Sequence, residues 1–577
     1  MELFDNLVLG FSTAFMVQNV LYCFLGVLLG TAVGVLPGIG PTATVAMLLP
    51  ITFNFEPVTA LIMLAGIYYG AQYGGSTTAI LINLPGESSA AVTALDGHEM
   101  ARQGRAGPAL ATAAIGSFFA GTVATVALAV AAPPLARVAL KFGPAEYFSL
   151  VLLGLIVSIA LARGSTLKAL AMIVLGVLFG TVGQDIYTGT PRFVFDQREL
   201  YGGIDFVSVA VGMFGVAEIL RNLENEQTRT AIVSKVKHLW PTAEDRRRIV
   251  GPILRGTGLG AALGVLPGGG HVLASFTSYA VEKRISKRPQ EFGHGAIEGV
   301  AGPESANNAA AQTSFIPLLT LGLPAHPVMA LMVGAFIVHG ITPGPNVITD
   351  EPALFWGLIA SMWIGNVLLV LLNLPLIGIW VRMLRIPYQV LFPMIILFAA
   401  IGTYSLAANA YDVYAIAFFG ILGYVLIKCG CEPAPLLLGF VLGPLLEENL
   451  RRALIISRGD PSVFLTRPIS VGLLALAVAA LVVAVLPTIR KRREAVFAEE
   501  EVGGSPAEGA TPWPTPPCRP GPAWRPTRRR RFAPASSLVL VRGASPAGRR
   551  ALLRPGAGTG WCRHARPRAV PCRRGTP

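Results

Sequence analysis

The sequence predicts an all-α polytopic membrane protein of about 10–12 transmembrane helices, in two inverted-topology repeats with Pro/Gly-broken or re-entrant helices near the midplane. Three observations predict it: composition, the length of the apolar stretches, and a self-match between the halves. Hydrophobic residues make up 53% and charged residues 14% of the 577, with a mean hydropathy of +0.60. That is too apolar for a globule meeting water on every side.

The apolar stretches at 109–132, 147–162, 355–379 and 469–486 have the roughly 17–25 residues that a helix needs to cross a bilayer's hydrocarbon core. A soluble core does not supply so many in one chain, and their continuous apolarity excludes the alternation of a β-barrel. Lipid is therefore the expected surroundings of the helical body.

The formal charge of +14 suggests nucleic acid until it is located. Residues 501–577 hold 15 Arg, no Lys, and only Glu501 and Glu508 as acids, so the other 500 residues are nearly neutral at +1. Nucleic acid is not an expected partner. The segment 490–577 is rich in Pro, Gly, Ala and Arg without apolar periodicity and is expected to be a disordered basic tail. Two origins fit so abrupt a change, a cytoplasmic extension or translation of GC-rich DNA in a shifted frame, and composition favours the second.

Cys23, Cys429 and Cys431 are the cysteines of the body. Cys429-Gly-Cys431 lacks the spacing of a redox or zinc pair. The start Met1-Glu2-Leu3-Phe4-Asp5 has no basic n-region, so no cleaved signal peptide is expected.

The self-match divides the body. Gly30-Thr-Ala-Val-Gly34-Val-Leu-Pro37-Gly38-Ile-Gly40 recurs as Gly260-Ala-Ala-Leu-Gly264-Val-Leu-Pro267-Gly268-Gly-Gly270, 230 residues on. Asn83-Leu-Pro-Gly86 recurs as Gly322-Leu-Pro-Ala325 at an offset of 239. Residues 1–250 and 251–489 therefore read as two homologous halves, the first ending in a cytoplasmic linker.

The basic segments 98–105, 221–248, 283–288, 382–385, 451–458 and 490–493 are assigned to the cytoplasm. At the repeat offset, 283–288 maps onto 53–58 and 98–105 onto 337–344, neither of which carries Lys or Arg. Corresponding loops thus differ in basic character, and the halves are expected to be inverted. Fewer than 30 residues separate Arg255 from Lys283, whereas two full crossings need about 40. A re-entrant hairpin with the glycine tip at mid-membrane is expected there, and another over 20–53 from the opposite side.

Broken helices expose backbone that persists inside a bilayer only against protein or a polar cavity. Gly30, Gly34, Gly260 and Gly264 read as close-packing contacts. The tips that follow, Pro37, Gly38, Gly40 and Thr42 with Gly268 and Gly270, are candidate substrate contacts. A second candidate cluster runs from Tyr68-Tyr69 through Gln72 to Ser76, Thr77, Thr78 and Asn83. Its counterpart holds Asn307, Asn308, Thr313 and Ser314. Hydroxyls and amides of this kind can ring a carboxylated substrate, although for any single one a bond between helices is the simpler reading.

Glu87 and Glu304 are candidate ion-coupling sites, because an acid at membrane depth is costly and usually functional. Asp96 is assigned to a cytoplasmic loop with His98, Glu99 and Arg102. His271 and His326 adjoin the motifs of the second half, where a structural imidazole fits as well as a titrating one.

These residues carry a resemblance. The runs Gly34-Val-Leu-Pro-Gly-Ile-Gly-Pro-Thr42, Tyr68-Tyr-Gly-Ala-Gln72-Tyr-Gly-Gly-Ser-Thr-Thr-Ala-Ile-Leu-Ile-Asn-Leu-Pro-Gly-Glu87, Asp96-Gly-His98 and Gly104-Arg-Ala-Gly-Pro-Ala109 resemble the large subunit of the tripartite tricarboxylate transporters. So do Gly264-Val-Leu-Pro-Gly-Gly-Gly270, Glu304-Ser-Ala-Asn-Asn-Ala-Ala310 and Phe315-Ile-Pro-Leu-Leu-Thr-Leu-Gly-Leu-Pro324. The likeness spans about residues 1–490 and departs at Ala325, where glycine is usual, and at His271.

The resemblance implies a secondary carrier of the bacterial inner membrane, driven by Na+ or H+ and without other cofactor. It would take organic carboxylates from a periplasmic solute-binding protein and pair with a small membrane subunit. The alternatives are a channel and a membrane-embedded enzyme. Against the enzyme, the body has no His-Glu-x-x-His, no Gly-x-Ser-x-Gly and no P-loop.

Overall fold

The computed structural model describes residues 2–36, 40–161, 165–224, 236, 239–266, 270–383, 388–407 and 409–485. Pro37, Gly38 and Gly268, and the tail 490–577, lie outside the described residues. The described chain is helical almost throughout, and its strands, Gly183–Gln184 and Pro191–Arg192, have two residues each.

The helices of the first half, in chain order, are α1 (Glu2–Ala14), α2 (Val17–Gly34), α3 (Pro41–Leu48), α4 (Pro57–Ile82), α5 (Ala91–Arg102), α6 (Ala106–Ala139), α7 (Pro144–Leu161), α8 (Thr166–Gly180), α9 (Phe206–Ala210) and α10 (Ala217–Glu224). There follow α11 (Ala243–Leu263), α12 (Gly270–Ile285), α13 (Glu298–Thr313), α14 (Phe315–Leu321), α15 (Pro327–Val338), α16 (Val347–Asp350) and α17 (Pro352–Asn373). Last come α18 (Ile377–Met383), α19 (Tyr388–Ala407), α20 (Ala410–Lys428), α21 (Pro433–Ile456), α22 (Val463–Thr466) and α23 (Pro468–Val485).

Among the described residues five helices are long and apolar enough to cross a membrane: Val17–Gly34, Ala106–Ala139, Phe206–Glu224, Pro352–Asn373 and Ala410–Lys428. Shorter apolar helices lie at Pro144–Ile159, Thr166–Gly180, Pro327–Val338, Phe392–Tyr404 and Pro468–Val482. Their outward side chains are aliphatic or aromatic, as with Val126 and Val130 on α6, Leu167 and Val174 on α8, Phe418 and Ile421 on α20, and Leu476 and Val478 on α23. Exposed apolar surface on helix after helix is what a bilayer covers, and the chain is a multi-pass membrane protein.

Helix α4 has 26 residues yet falls outside those five. Its tyrosines, Gln72, hydroxyls and glycines lower its hydropathy, and it is buried from Thr59 to Leu81. A helix that touches protein on every side has no need of a lipid-facing surface.

Glycine lets α2 and α4 meet backbone to backbone. A Cβ on Gly26, Gly30 or Gly34 would stand 2.3, 2.2 or 2.3 Å from the carbonyl oxygens of Met63, Ile67 and Ala71. In α11 the same holds for Gly256, Gly260 and Gly264, at 2.3, 2.2 and 2.5 Å from the carbonyl oxygens of Gly302, Ala306 and Ala310 on α13. The donor glycines correspond at 230 residues and their targets at 239, the two offsets of the motifs.

Helices α11 and α12 run antiparallel. Arg255 forks onto Glu282 at 2.8 and 2.6 Å, Arg248 reaches Glu298 and Glu291, and Arg288 lies 3.5 Å from Glu244. The start of α11 and the end of α12 are thus at one end, with Gly270 against Leu263 at the other. From Arg255 to Leu263 is about 12 Å of helix, roughly half a hydrocarbon core.

Asp96 lies on α5 and is buried rather than in a solvated loop. Its carboxylate accepts from Tyr279 Oη at 2.9 Å and from the backbone N–H groups of Gly293, Gly295 and Ala296 at 2.8, 2.9 and 2.9 Å. Four donors from the other half explain how a carboxylate can stand inside.

Candidate functional site

Helices α4 and α13 bury their polar residues almost along their whole length. They meet through amides. Gln72 Nε2 donates to Asn307 Oδ1 at 2.8 Å, and Asn307 Nδ2 donates to Glu87 Oε1 at 2.7 Å. Ser89 Oγ donates to the same carboxylate oxygen at 2.5 Å. One turn earlier on α13, Glu304 accepts from Thr93 Oγ1 of α5 at 2.7 Å, and Asn308 Nδ2 donates to Ser117 Oγ of α6 at 2.7 Å.

Loop geometry delivers Glu87 to this place. Helix α4 ends at Asn83 with φ 57° and ψ 31°, and the chain turns back so that Gly86 N donates to Gly75 O. Gly75 and Gly86 touch closely, a Cβ on Gly86 falling 2.5 Å from the Gly75 Cα. Gly40, first described residue after the break, also abuts the Gly86 carbonyl, at 2.9 Å from a Cβ there. In the second half Gly322 repeats the left-handed turn at φ 69°, and His326 and His271 meet with ring centroids 4.8 Å apart.

The predicted residues divide accordingly. Glu87, Glu304, Asn307 and Asn308 are drawn into one cluster where α4, α5, α6 and α13 meet, with Glu87 half-buried and the others buried. Ser76 bonds weakly to Gln72 O and also reaches Glu304 of the cluster, whereas Thr77 bonds to Tyr73 O and Thr78 to Gly75 O on their own helix. Thr313 bonds to Ala309 O, and Ser314 to Ala311 O and His326 Nε2. Thr42 is half-buried on α3, and Gly270 opens α12. Asn83 presents its side chain to the outside instead of the cluster. Thr93 and Ser117 were not anticipated, because a lone hydroxyl on an Ala-rich helix carries no sequence signal until the fold sets it beside Glu304 and Asn308.

Energetics separate this cluster from ordinary helix glue. A bond between membrane helices contributes about 0.6 kcal/mol on average, while an acidic residue at membrane depth costs about 2.5–3.5 kcal/mol. Hydroxyl and amide donors to Glu87 and Glu304 do not balance that, and among the described residues no Lys, Arg or His forms an ion pair with either. Gln72 Oε1 and Tyr73 Oη, buried alongside, have no hydrogen-bond partner. Carboxylate, amide and hydroxyl oxygens so gathered can hold a proton or a hard cation.

A model of the tripartite tricarboxylate transporter TctA family matches residues 20–438. An uncharacterised 52.8 kDa protein of the TAR-I ttuC′ 3′ region of Agrobacterium vitis is 72% identical over 501 residues, 87% of this chain and all of that relative. An uncharacterised protein of the TAR-II ttuC′ 3′ region of the same organism is 74% identical over 242 residues, 42% of this chain and all of its own. No solved structure matches. With its multi-pass helical body and the matched span taking in both Pro-Gly motifs and the cluster, the chain belongs to the tripartite tricarboxylate transporter TctA family.

Proposed function

We propose that the chain is the large permease subunit of a secondary transporter of the bacterial inner membrane, importing tricarboxylates or related organic carboxylates with a Na+ or H+ gradient. The observation that carries this is the Gln72–Asn307–Glu87 bridge, a half-buried acid between two helices that accepts its hydrogen bonds from neutral donors. A group in that setting favours taking up a proton or cation, and a site at the contact of two halves can be offered to either side in turn.

Residues 1–250 and 251–489 act as the two halves, inverted to one another. The glycine contacts recurring at the two motif offsets support their equivalence, and the basic-segment pattern supports the inversion. A periplasmic solute-binding protein delivers the carboxylate, and a small membrane subunit completes the assembly. Family membership supports both partners. The tail 490–577 plays no part in transport, and a chain ended at residue 490 keeps full uptake.

The test is uptake of labelled citrate and other carboxylates into vesicles holding the chain with its partner subunits, under imposed Na+ or pH gradients. Gradient-driven accumulation that falls with Glu87→Gln or Glu304→Gln is the expected result. Flux indifferent to every gradient would point to a channel, and chemical conversion without flux to an enzyme.

A further inference from the structure

The correspondence of the halves extends to the site itself. At an offset of 239 residues, Glu87 answers to His326 and Tyr68 to Asn307. The structure joins these positions crosswise. Glu87 accepts from Asn307 at 2.7 Å, and His326 Nε2 lies 3.3 Å from Tyr68 Oη. Each half sets its loop residue against the same position on the other half's long helix, but one loop offers a carboxylate and the other an imidazole.

The surroundings of His326 are those of an anion site. Ser314 Oγ is 3.2 Å from the same nitrogen, and the His271 ring meets it edge-on. His326 is the N-cap of α15, a 12-residue helix, and His271 is the second residue of α12, with 16. Two helix N-termini therefore converge on the histidine pair, each carrying a partial positive charge. Tyr69, whose ring is 5.5 Å from that of Tyr68, is buried with a hydroxyl that has no partner. Imidazole, phenol and hydroxyl can all present hydrogens to a group that only accepts.

We propose that His326, with His271, Tyr68 and Ser314, forms a second site that takes a carboxylate group of the substrate, across the repeat from the cation-selecting acids Glu87 and Glu304. The inference rests on the transport reading above. It assigns the two ligands to the two symmetry-related positions, one negative and one hydrogen-donating.

Thermal unfolding of the purified full chain tests it, with citrate, malate and succinate as anion probes and NaCl against KCl as the cation probe. Wild type is expected to be stabilised by at least one carboxylate. His326→Gln should weaken that carboxylate's apparent affinity roughly tenfold or more, the loss of a hydrogen bond to a charged group, while keeping the cation response; Glu87→Gln should do the reverse. Tyr68→Phe, which removes one hydroxyl, should show the same split as His326→Gln and serves if that variant elutes aggregated. Unchanged carboxylate affinity in the His326 and Tyr68 variants, or equal loss of both responses, overturns the assignment. Wild type indifferent to every carboxylate overturns the assignment alone, since the transport reading is judged separately by gradient-driven uptake in the assembled system.

Discussion

Asn83, marked by sequence as a substrate contact, has a second reason to be an amide. Its backbone is left-handed, at φ 57°, and Gly322 takes the same conformation 239 residues later. Asn is among the few side chains that tolerate this turn, and we predict that its backbone, not its amide, is what transport requires. Asn83→Gly should keep both fold and uptake, whereas Asn83→Ala should lower stability by about 1 kcal/mol, read as a lower unfolding temperature. Asn307 lies at the opposite extreme, since its two amide atoms join Gln72 to Glu87. Asn307→Ala should reduce uptake at least tenfold while the protein remains monodisperse; unimpaired uptake would remove the bridge from the mechanism. The amides and acids of this site were legible because polar residues in an apolar run stand out. Their partners were not, as a hydroxyl such as Thr93 becomes informative only once α5 and α13 are seen side by side.

At the scale of the element, distance along the chain predicts a hairpin over 255–283, and α11 and α12 do pair antiparallel; cysteine labelling decides whether the pair re-enters the membrane. What sequence did not reveal is its clasp. Glu282 is 3% exposed while Arg255 is 42% exposed, so Arg255→Ala leaves the carboxylate short of its donors at a site water can partly reach and should cost about 1–3 kcal/mol. The exchange Arg255→Glu with Glu282→Arg should recover part of that loss, and no recovery would mean the pair's surroundings, not its charges, matter. A second clasp ties α6 to α11. Burial raises the Asp245 carboxyl, but hydrogen bonds from Thr242 and Arg105 and the Arg105 charge outweigh it and hold it below the usual carboxylate range. A depressed folded value means the stabilisation is fully present above about pH 4 and is lost as pH falls through the folded value. The gap in unfolding temperature between wild type and Asp245→Asn should accordingly be constant from neutral pH downward and close only in stronger acid.

For the whole molecule, hydropathy located the helices that face lipid and passed over α4 and α13, whose partners are protein. Helix class and membrane residence were therefore plain from composition, while the placement of the working helices needed the fold. The hairpin gives a topological prediction: cysteines replacing Arg246 and Lys287 should react with an impermeant reagent from the same side of the membrane, and labelling from opposite sides would refute the re-entrant path. The carboxylate of Asp96 leads to a different kind of consequence, concerning how the protein is made. Its three backbone donors lie close to 200 residues downstream, and at about 5–20 residues per second the ribosome needs roughly 10–40 s to supply them. Throughout that interval the first half stands in the membrane with a carboxylate lacking its hydrogen-bond donors and Glu87 lacking Asn307. The nascent first half is thus an incomplete object that the insertion machinery has to shelter, and the two halves finish folding together.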